Sequence, residues 1–310
     1  MNRKTSSEQN ARQLPAQGWI GLLLIAVSWP LNWLLPGLRT HILFFPLWLG
    51  YSLTVDGMVV LRKGTSLLTR SGARFFDLFF VSAPVWWLFE LLNKRVQNWQ
   101  YLGEEQFTDL QFFVLSTFSF STVIPVVFGT AELWSTFIRR VHGPVVCPTR
   151  RTLAAFFITG LVMLALLLIW PRYFFPFLWL SVFFIIEPIN AAMGFPTLAI
   201  WTKDGNWTPI AALGLGALTC GFFWEMWNFF SYPKWIYTVP FVNFAHIFEM
   251  PLLGYGGYLP FAVEVYTLYN FITGLLRNIR IDYIRLNTDF HSPYNRQIIN
   301  EERGFSLQDL

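Results

Sequence analysis

The chain has 310 residues, 54% of them hydrophobic, 19% aromatic and only 13% charged, with a formal charge of +4. So little polar surface cannot coat a soluble globule of this length, which excludes a water-soluble fold and leaves a polytopic membrane protein. The positive balance does not indicate nucleic acid, because the basic residues sit at the ends of apolar runs, where membrane lipid headgroups account for them.

Residues 1–16 are polar and read as a disordered cytoplasmic N-terminus. Eight apolar runs follow, at 18–38, 41–61, 75–93, 111–135, 152–171, 173–192, 209–231 and 258–277. Each is close to the roughly 20 residues that cross about 30 Å of hydrocarbon as a helix. The first run follows three basic residues, as a signal peptide would, but it is long, holds Pro30 and Pro36 and lacks a small-x-small cleavage site, so it reads as a retained helix. His142-Gly143-Pro144 and Cys147-Pro148 interrupt the chain in a linker at 142–151, and residues 278–310 form a charged cytoplasmic tail. Between the last two runs, residues 243–257 hold His246, Glu249, Pro251, Gly254, Gly256 and Gly257, a density of helix breakers that predicts a re-entrant or interfacial element.

Of the 22 Lys and Arg residues, all but Arg39, Lys94, Arg95, Arg172 and Lys234 fall on the side that holds both termini. By the positive-inside rule that side is cytoplasmic, which predicts a multi-pass protein of the bacterial inner membrane.

A sparse polar and aromatic pattern occurs twice. Trp48 and Asp56 recur as Trp179 and Glu187, Glu90-x-x-Asn93 as Glu225-x-x-Asn228, Trp99-x-Tyr101 as Trp235-x-Tyr237, and Pro125 as Pro260. The predicted fold is therefore all-α, with about eight transmembrane helices in two parallel tandem four-helix repeats, 17–141 and 152–277. The offset grows from 131 residues at Trp48/Trp179 to 135 at Glu90/Glu225, which puts about four extra residues in a cytoplasmic loop around Lys203-Asp204-Gly205-Asn206.

The duplicated residues are of types that hydrocarbon disfavours. Five glutamates, Glu90, Glu132, Glu187, Glu225 and Glu264, fall inside apolar runs. An ionised, unpaired acid at a helix centre costs about 2.5–3.5 kcal/mol, against a folding stability of about 5–15 kcal/mol. They must be protonated, paired or wet. The topology gathers Glu225, Glu264 and Glu90 on the outer half as candidate acids and bases, with Asn228 and Asn93 three residues along to orient the carboxyls. Trp224, Trp227, Trp86 and Trp87 flank two of these acids and are candidate substrate-binding rings, able to stack on a polyene or stabilise a cation. His246, Glu249, Trp235 and Tyr237 approach from the following segment. Asp56, Glu132, Glu187 and Asn190 form a second polar set on the cytoplasmic half. Interhelical hydrogen bonding is the competing role for any one of the acids and amides, and membership of an interfacial aromatic belt is the competing role for Trp99, Tyr101, Trp235 and Tyr237.

Cys147 and Cys220 match no metal or redox spacing, and His41, His142, His246 and His291 form no ligand cluster. No ligand spacing marks a metal site, although a carboxylate-rich site could hold Mg²⁺ or Ca²⁺, and the sequence specifies neither a metal, a cofactor nor an oligomeric state.

Trp235-x-Tyr237 followed by Gly257-Tyr258-Leu259-Pro260-Phe261-Ala262-Val263-Glu264 resembles the membrane-embedded lycopene cyclase domain, and Trp99-x-Tyr101, Ile124-Pro125 and Glu132 echo it in the first half. The resemblance implies tandem helical repeats, an isoprenoid substrate, and Glu264 and Glu132 as acids that protonate a polyene. The whole chain, with Gly221-Phe222-Phe223-Trp224-Glu225 and Glu249-Met250-Pro251-Leu252-Leu253-Gly254, also resembles bacterial polytopic membrane proteins that carry no assigned activity. The leading expectation is an enzyme acting on an apolar lipid or isoprenoid from the outer leaflet by general acid/base chemistry. A proton-coupled or small-molecule transporter, with the two carboxyl sets as successive stations, is the alternative, and a structural or assembly subunit the third reading.

Overall fold

The computed structural model describes residues 13–286. Residues 1–12 of the expected disordered N-terminus and the far part of the expected tail, with Arg3, Lys4, Arg12, His291, Arg296 and Arg303, lie outside them, while Ala16, expected in that terminus, opens the first helix. The first half comprises α1 (Ala16–Leu34), α2 (Thr40–Lys63), the single turn α3 (Leu67–Arg70), α4 (Gly72–Val96), strand β1 (Trp99–Leu102), α5 (Asp109–Phe120) and α6 (Val123–Trp134). The second comprises α7 (Arg150–Ile169), α8 (Pro171–Phe174), α9 (Ser181–Met193), α10 (Ala199–Thr202), α11 (Thr208–Phe229), strand β2 (Lys234–Tyr237), the short strands β3 (His246–Ile247) and β4 (Met250–Pro251), and α12 (Tyr258–Arg277).

Among the described residues, seven helical segments are long and apolar enough to cross a membrane: Thr40–Lys63, Gly72–Val96, Asp109–Trp134, Arg150–Ile169, Pro171–Met193, Thr208–Phe229 and Leu252–Arg277. The run at 18–38 forms α1, which is not one of them, because Gln17, Ser28 and Asn32 dilute its apolar stretch. It is held to α2 by small residues: a Cβ on Gly21 would lie 2.5 Å from the Gly50 carbonyl oxygen, and one on Gly57 would lie 2.8 Å from the Gly18 Cα. The run at 111–135 is not one continuous helix. Ser119, Ser121 and Thr122 turn their hydroxyls onto the carbonyls of Leu115, Phe118 and Ser119, and this local bonding competes with the helical ladder where α5 gives way to α6. The span Pro171–Met193 is broken too, at Pro176, which has no N–H to donate, so that α8 gives way to a 3-10 turn at Phe175–Trp179 and then to α9.

α6 and α11 cross at the centre, where a Cβ on Gly216 would lie 2.7 Å from the Ala131 amide nitrogen. Every residue from Val123 to Glu132 is buried. The contacts of the two halves correspond: α1 packs on α2 and α7 on α9, α2 on α6 and α9 on α12, α4 on α6 and α11 on α12, and across the halves α6 on α11 and α12 on α4. Large apolar side chains cover the outer faces; Phe80 is 81% exposed.

The two ends of the bundle differ. At one, β1 and β2 pair antiparallel across the halves, with Trp99 opposite Tyr237 and Tyr101 opposite Trp235. At the other, His142 bridges to Asn206, the Arg280 guanidinium donates to the Met193 carbonyl, and Lys63 Nζ donates to the Arg285 carbonyl. The basic residues divide accordingly, with Arg39, Arg95, Arg172 and Lys234 held at the ribbon end. Residues 278–286, expected as the start of a solvated tail, instead pack onto the opposite end: Tyr283, Ile284 and Leu286 are buried, and the Tyr283 hydroxyl donates to the Leu67 and Ser71 carbonyls.

A candidate ligand cavity beneath a two-stranded ribbon

Each half builds the same local device from its acid and amide. After α4, Gln97 takes a left-handed conformation (φ 56°) and the chain reverses. Asn93 holds the reversal: its Oδ1 accepts from the Asn98 amide at 2.9 Å and the Trp99 amide at 3.4 Å, and its Nδ2 donates to the Trp99 carbonyl at 2.8 Å. In the second half, Asn228 Oδ1 accepts from the Trp235 amide at 3.0 Å while Nδ2 donates to the Trp235 carbonyl at 2.7 Å. The amides therefore do not orient the carboxyls, as their spacing suggests. They clamp the strands.

The strands return the favour to the acids. Residues two apart share one face of a strand, and residues opposite each other across the ribbon share it too, so Trp99, Tyr101, Trp235 and Tyr237 all point the same way. Glu90 Oε1 accepts from Trp86 Nε1 at 2.9 Å, Trp99 Nε1 at 3.0 Å and the Tyr101 hydroxyl at 2.5 Å. Glu225 Oε1 accepts from the Tyr237 hydroxyl at 2.7 Å, the Tyr258 hydroxyl at 3.0 Å and Trp235 Nε1 at 3.4 Å. Burial first, and then the adjoining carboxyl, raises the Tyr101 and Tyr237 hydroxyls above the ordinary tyrosine pKa, so both remain protonated donors.

The third donor breaks the correspondence in an instructive way. In the first half it is Trp86, whose counterpart 135 residues on is Gly221; in the second it is Tyr258, whose counterpart is Val123. A Cβ on Gly221 would lie 2.3 Å from the Tyr258 ring, so the missing side chain on α11 makes room for a ring from α12. The same bond to the acid is supplied from a different helix.

Beneath the ribbon lies a cavity of about 450 Å³, enclosed by α2, α4, α5, the Phe175–Leu180 turn, α11, residues 239–257 and the start of α12. Trp86, Trp99, Trp179, Trp224 and Trp235 form much of its wall, with Trp99 and Trp179 stacked at 6.0 Å between ring centres. Glu225 is fully buried, lines the cavity, and leaves its Oε2 without a hydrogen-bond partner. Glu90 stands behind Trp86, Trp99 and Tyr101, which line the cavity in front of it.

Several sequence expectations are met only in part. Trp224, Trp86, Trp235 and Tyr237 reach the cavity. Trp87 does not: it donates to Thr117 and stacks on Phe113 along the α4–α5 contact. Trp227 is buried against Trp48 and Trp29 on the other side of α11. Glu264, though fully buried, lies outside the lining; its Oε1 accepts from the Val182 and Phe183 amides at 3.1 and 3.3 Å, because the open N-terminus of α9 presents unpaired donors to it. Residues 239–257 do close one side through Val239, Val242, Met250, Leu253 and Gly254, yet His246 is exposed beside Asn243, and Glu249 forms an ion pair with Lys234.

The second polar set is dispersed into local anchors, and none of it lines the cavity. Asp56 accepts from Ser66 at 2.8 Å and the Leu68 amide at 3.0 Å, which ties down α3. Glu187 accepts from the Leu198 amide at 2.5 Å and Thr267 at 2.9 Å, which ties down α10. Asn190 Nδ2 donates to the Thr267 carbonyl. Glu132 receives the Arg70 guanidinium and the Arg285 amide. Sequence reasoning did not single out Tyr258, Trp179 as a wall, or Thr40, His41 and Asn98; the last three stand outside the duplicated pattern.

No cluster of three or more His, Cys, Asp or Glu side chains able to hold a metal occurs among the described residues. Comparison of the chain with protein-family models, with curated proteins and with solved structures returns no match.

Proposed function

We propose that this is a membrane enzyme whose cavity takes an apolar lipid or isoprenoid molecule, with Glu225 as its general acid and base. One observation carries the reading: a single fully buried carboxyl faces a tryptophan-walled cavity with one oxygen held by three donors and the other unpartnered. In this scheme the neutral acid delivers its proton from Oε2 to a carbon–carbon double bond of the ligand. The resulting cation is stabilised by the tryptophan faces, and the carboxylate, held by Tyr237, Tyr258 and Trp235, takes a proton from a neighbouring carbon to leave an isomerised or cyclised product. Proton in and proton out balance, so no oxidant or second substrate is required.

The resemblance to the membrane-embedded lycopene cyclase domain supports the same substrate class. The acid is assigned to Glu225 rather than to Glu264 or Glu132, since neither of those lines the cavity: Glu264 turns to the α9 amides and Glu132 to Arg70. The corresponding packing of the two halves and the register of the ribbon support descent from two parallel four-helix repeats, with α1 as an eighth crossing, both termini cytoplasmic, and the cavity toward the outer face of the inner membrane.

The test is conversion by purified protein in nanodiscs, loaded with whatever lipid or pigment it retains from its native membrane, as identified by mass spectrometry. Glu225→Gln is expected to keep the bound molecule and lose product formation by about a hundredfold or more, the usual scale for a positioned acid. Undiminished turnover by Glu225→Gln would falsify the assignment. Proteoliposomes distinguish the carrier reading: a ligand that crosses the bilayer chemically unchanged supports transport instead.

A further inference from the structure

α9 begins without a cap from its own sequence. Leu180, the residue before it, has no side-chain acceptor, and Phe184 is the first residue whose amide bonds back to the helix start, at the Leu180 carbonyl. The Val182 and Phe183 amides would be left bare inside the bundle. Glu264 of α12 takes both on Oε1, at 3.1 and 3.3 Å, and is itself fully buried. A cap for one helix is thus supplied from another.

The first half has no such arrangement. There α2 runs unbroken from Thr40 to Lys63, so the amides at the matching places, Tyr51 and Ser52, fall inside a continuous helix and need no outside acceptor. The residue matching Glu264, 135 positions earlier, is Gly129. The acid is therefore no part of the duplicated pattern; it accompanies the break at Phe175–Leu180. The same break goes with a difference in the cavity wall. Trp179 and Leu180 line the cavity, whereas Trp48, the counterpart of Trp179, is fully buried and does not.

One stripe of α12 seats the broken turn. Gly257, Phe261 and Glu264 are spaced i, i+4 and i+7, which puts them on one helix face. Gly257 leaves room for the Trp179 ring, since a Cβ there would lie 3.3 Å from it. Phe261 packs edge-on against that ring at 5.6 Å between centres, and Glu264 pins the backbone that follows. Trp99 then stacks on Trp179 from β1, with 19° between the ring planes. Resting on the reading of this cavity as an apolar-ligand site, we propose that Glu264 is a positioning residue: by holding the start of α9 it sets Trp179 against Trp99, and so sets how tightly the cavity grips an apolar chain. It acts as a hydrogen-bond acceptor and moves no proton in the reaction.

The experiment titrates the full chain in nanodiscs with a brominated hexadecane, which quenches cavity tryptophans saturably, in contrast to the linear quenching from bulk lipid. Glu264→Leu cannot accept from the amides and should weaken the probe by about threefold to tenfold, the scale of one aromatic contact. Glu264→Gln keeps a carbonyl oxygen able to accept both and should stay within about twofold of the unaltered protein. In a Trp179→Ala background Glu264→Leu should add less than about twofold, because the ring through which it acts is gone. A loss in Glu264→Gln equal to that in Glu264→Leu, or a full loss that persists without Trp179, overturns the inference. The stacked indoles also report without ligand. Their coupled circular-dichroism band, taken as the difference from Trp179→Phe, should survive Glu264→Gln and vanish in Glu264→Leu; its survival in Glu264→Leu overturns the inference. Absence of saturable quenching in the unaltered protein removes the apolar-ligand reading itself, and the band then decides the link between Glu264 and Trp179. Glu264→Gln is nearly isosteric, so loss of the band or of the probe in that variant overturns the inference even where Glu264→Leu fails to assemble.

Discussion

Removal of the Arg70 guanidinium should destabilise the whole bundle, although Arg70 lies far along the chain from the residues it holds. Its partner Glu132 is fully buried on α6 and accepts three hydrogen bonds, two from Arg70 and one, at 2.8 Å, from the Arg285 amide. Burial opposes the charge on Arg70, but the Glu132 carboxylate outweighs it, and the arginine pKa lies above its ordinary value. Arg70→Met deletes two of the three donors and leaves a carboxyl with one. Breaking a buried pair from one side costs about 3–5 kcal/mol, which is on the order of a hundredfold to several thousandfold in the opening equilibrium at 1.4 kcal/mol per decade. Cys220 supplies the reporter: it is fully buried on α11, near Thr130 of the helix that carries Glu132, whereas Cys147 is exposed and is silenced by Cys147→Ser. In that background, the rate at which a thiol reagent labels Cys220 should rise by at least a hundredfold in Arg70→Met. It should return most of the way in Arg70→Met with Glu132→Leu, since removing both charges removes the orphan. If Arg70→Met changes labelling by less than about fivefold, or if the double variant is as unstable as the single, Glu132 is not a structural anchor and the case for a proton station at that position reopens.

Two further outcomes follow from the same geometry. Asn228→Leu removes both bonds from that side chain to β2, so hydrogen exchange at residues 234–238 should accelerate by about tenfold to a hundredfold, while exchange within α11 changes little; equal acceleration in both would mean the amide supports the helix and not the strand. Asp282 lies at the opposite end, its carboxyl pushed up to about 6 by burial, with the Tyr266 hydroxyl, the Ile284 amide and Arg74 acting against that and Glu132 adding to it. The folded pKa exceeds the unfolded one, so the folded state binds the extra proton between about pH 4 and 6, and the docking of residues 278–286 weakens as pH rises through that window. Exchange at residues 280–286, corrected for its intrinsic pH dependence, should show tighter docking at pH 5 than at pH 7, and Asp282→Asn should flatten the difference; tighter docking at pH 7 would refute the sign.

Composition and run length were enough to read the helical membrane architecture, because about 30 Å of hydrocarbon imposes its length on every span independently of tertiary detail. Where a span breaks was less legible. The α5–α6 break rests on hydroxyls choosing carbonyls within their own turn, and serine or threonine inside a helix does not announce that choice. The duplicated pattern marked four residues that bond to the ribbon, Glu90, Asn93, Glu225 and Asn228, but read the amides as partners of the carboxyls. Glu-x-x-Asn spacing places both side chains on one face, yet Asn93 and Asn228 sit at a helix end where unpaired strand backbone competes for them and wins. Glu264 was drawn away for the same reason, by the bare amides that begin α9. Tyr258 could not be found by periodicity at all, because its bond to Glu225 replaces one made in the other half by a residue on a different helix, and the compensating change is a glycine.

The register of the ribbon reaches beyond this one chain. Trp99 faces Tyr237 and Tyr101 faces Trp235, so each Trp-x-Tyr strand meets the same triplet running the other way. That is the arrangement an isologous homodimer would adopt across its symmetry axis. A strand that recognises its own likeness leaves a sticky edge whenever its mate is missing. Either half produced alone would therefore seek a second copy of itself, with the seam closed by the same backbone pairing.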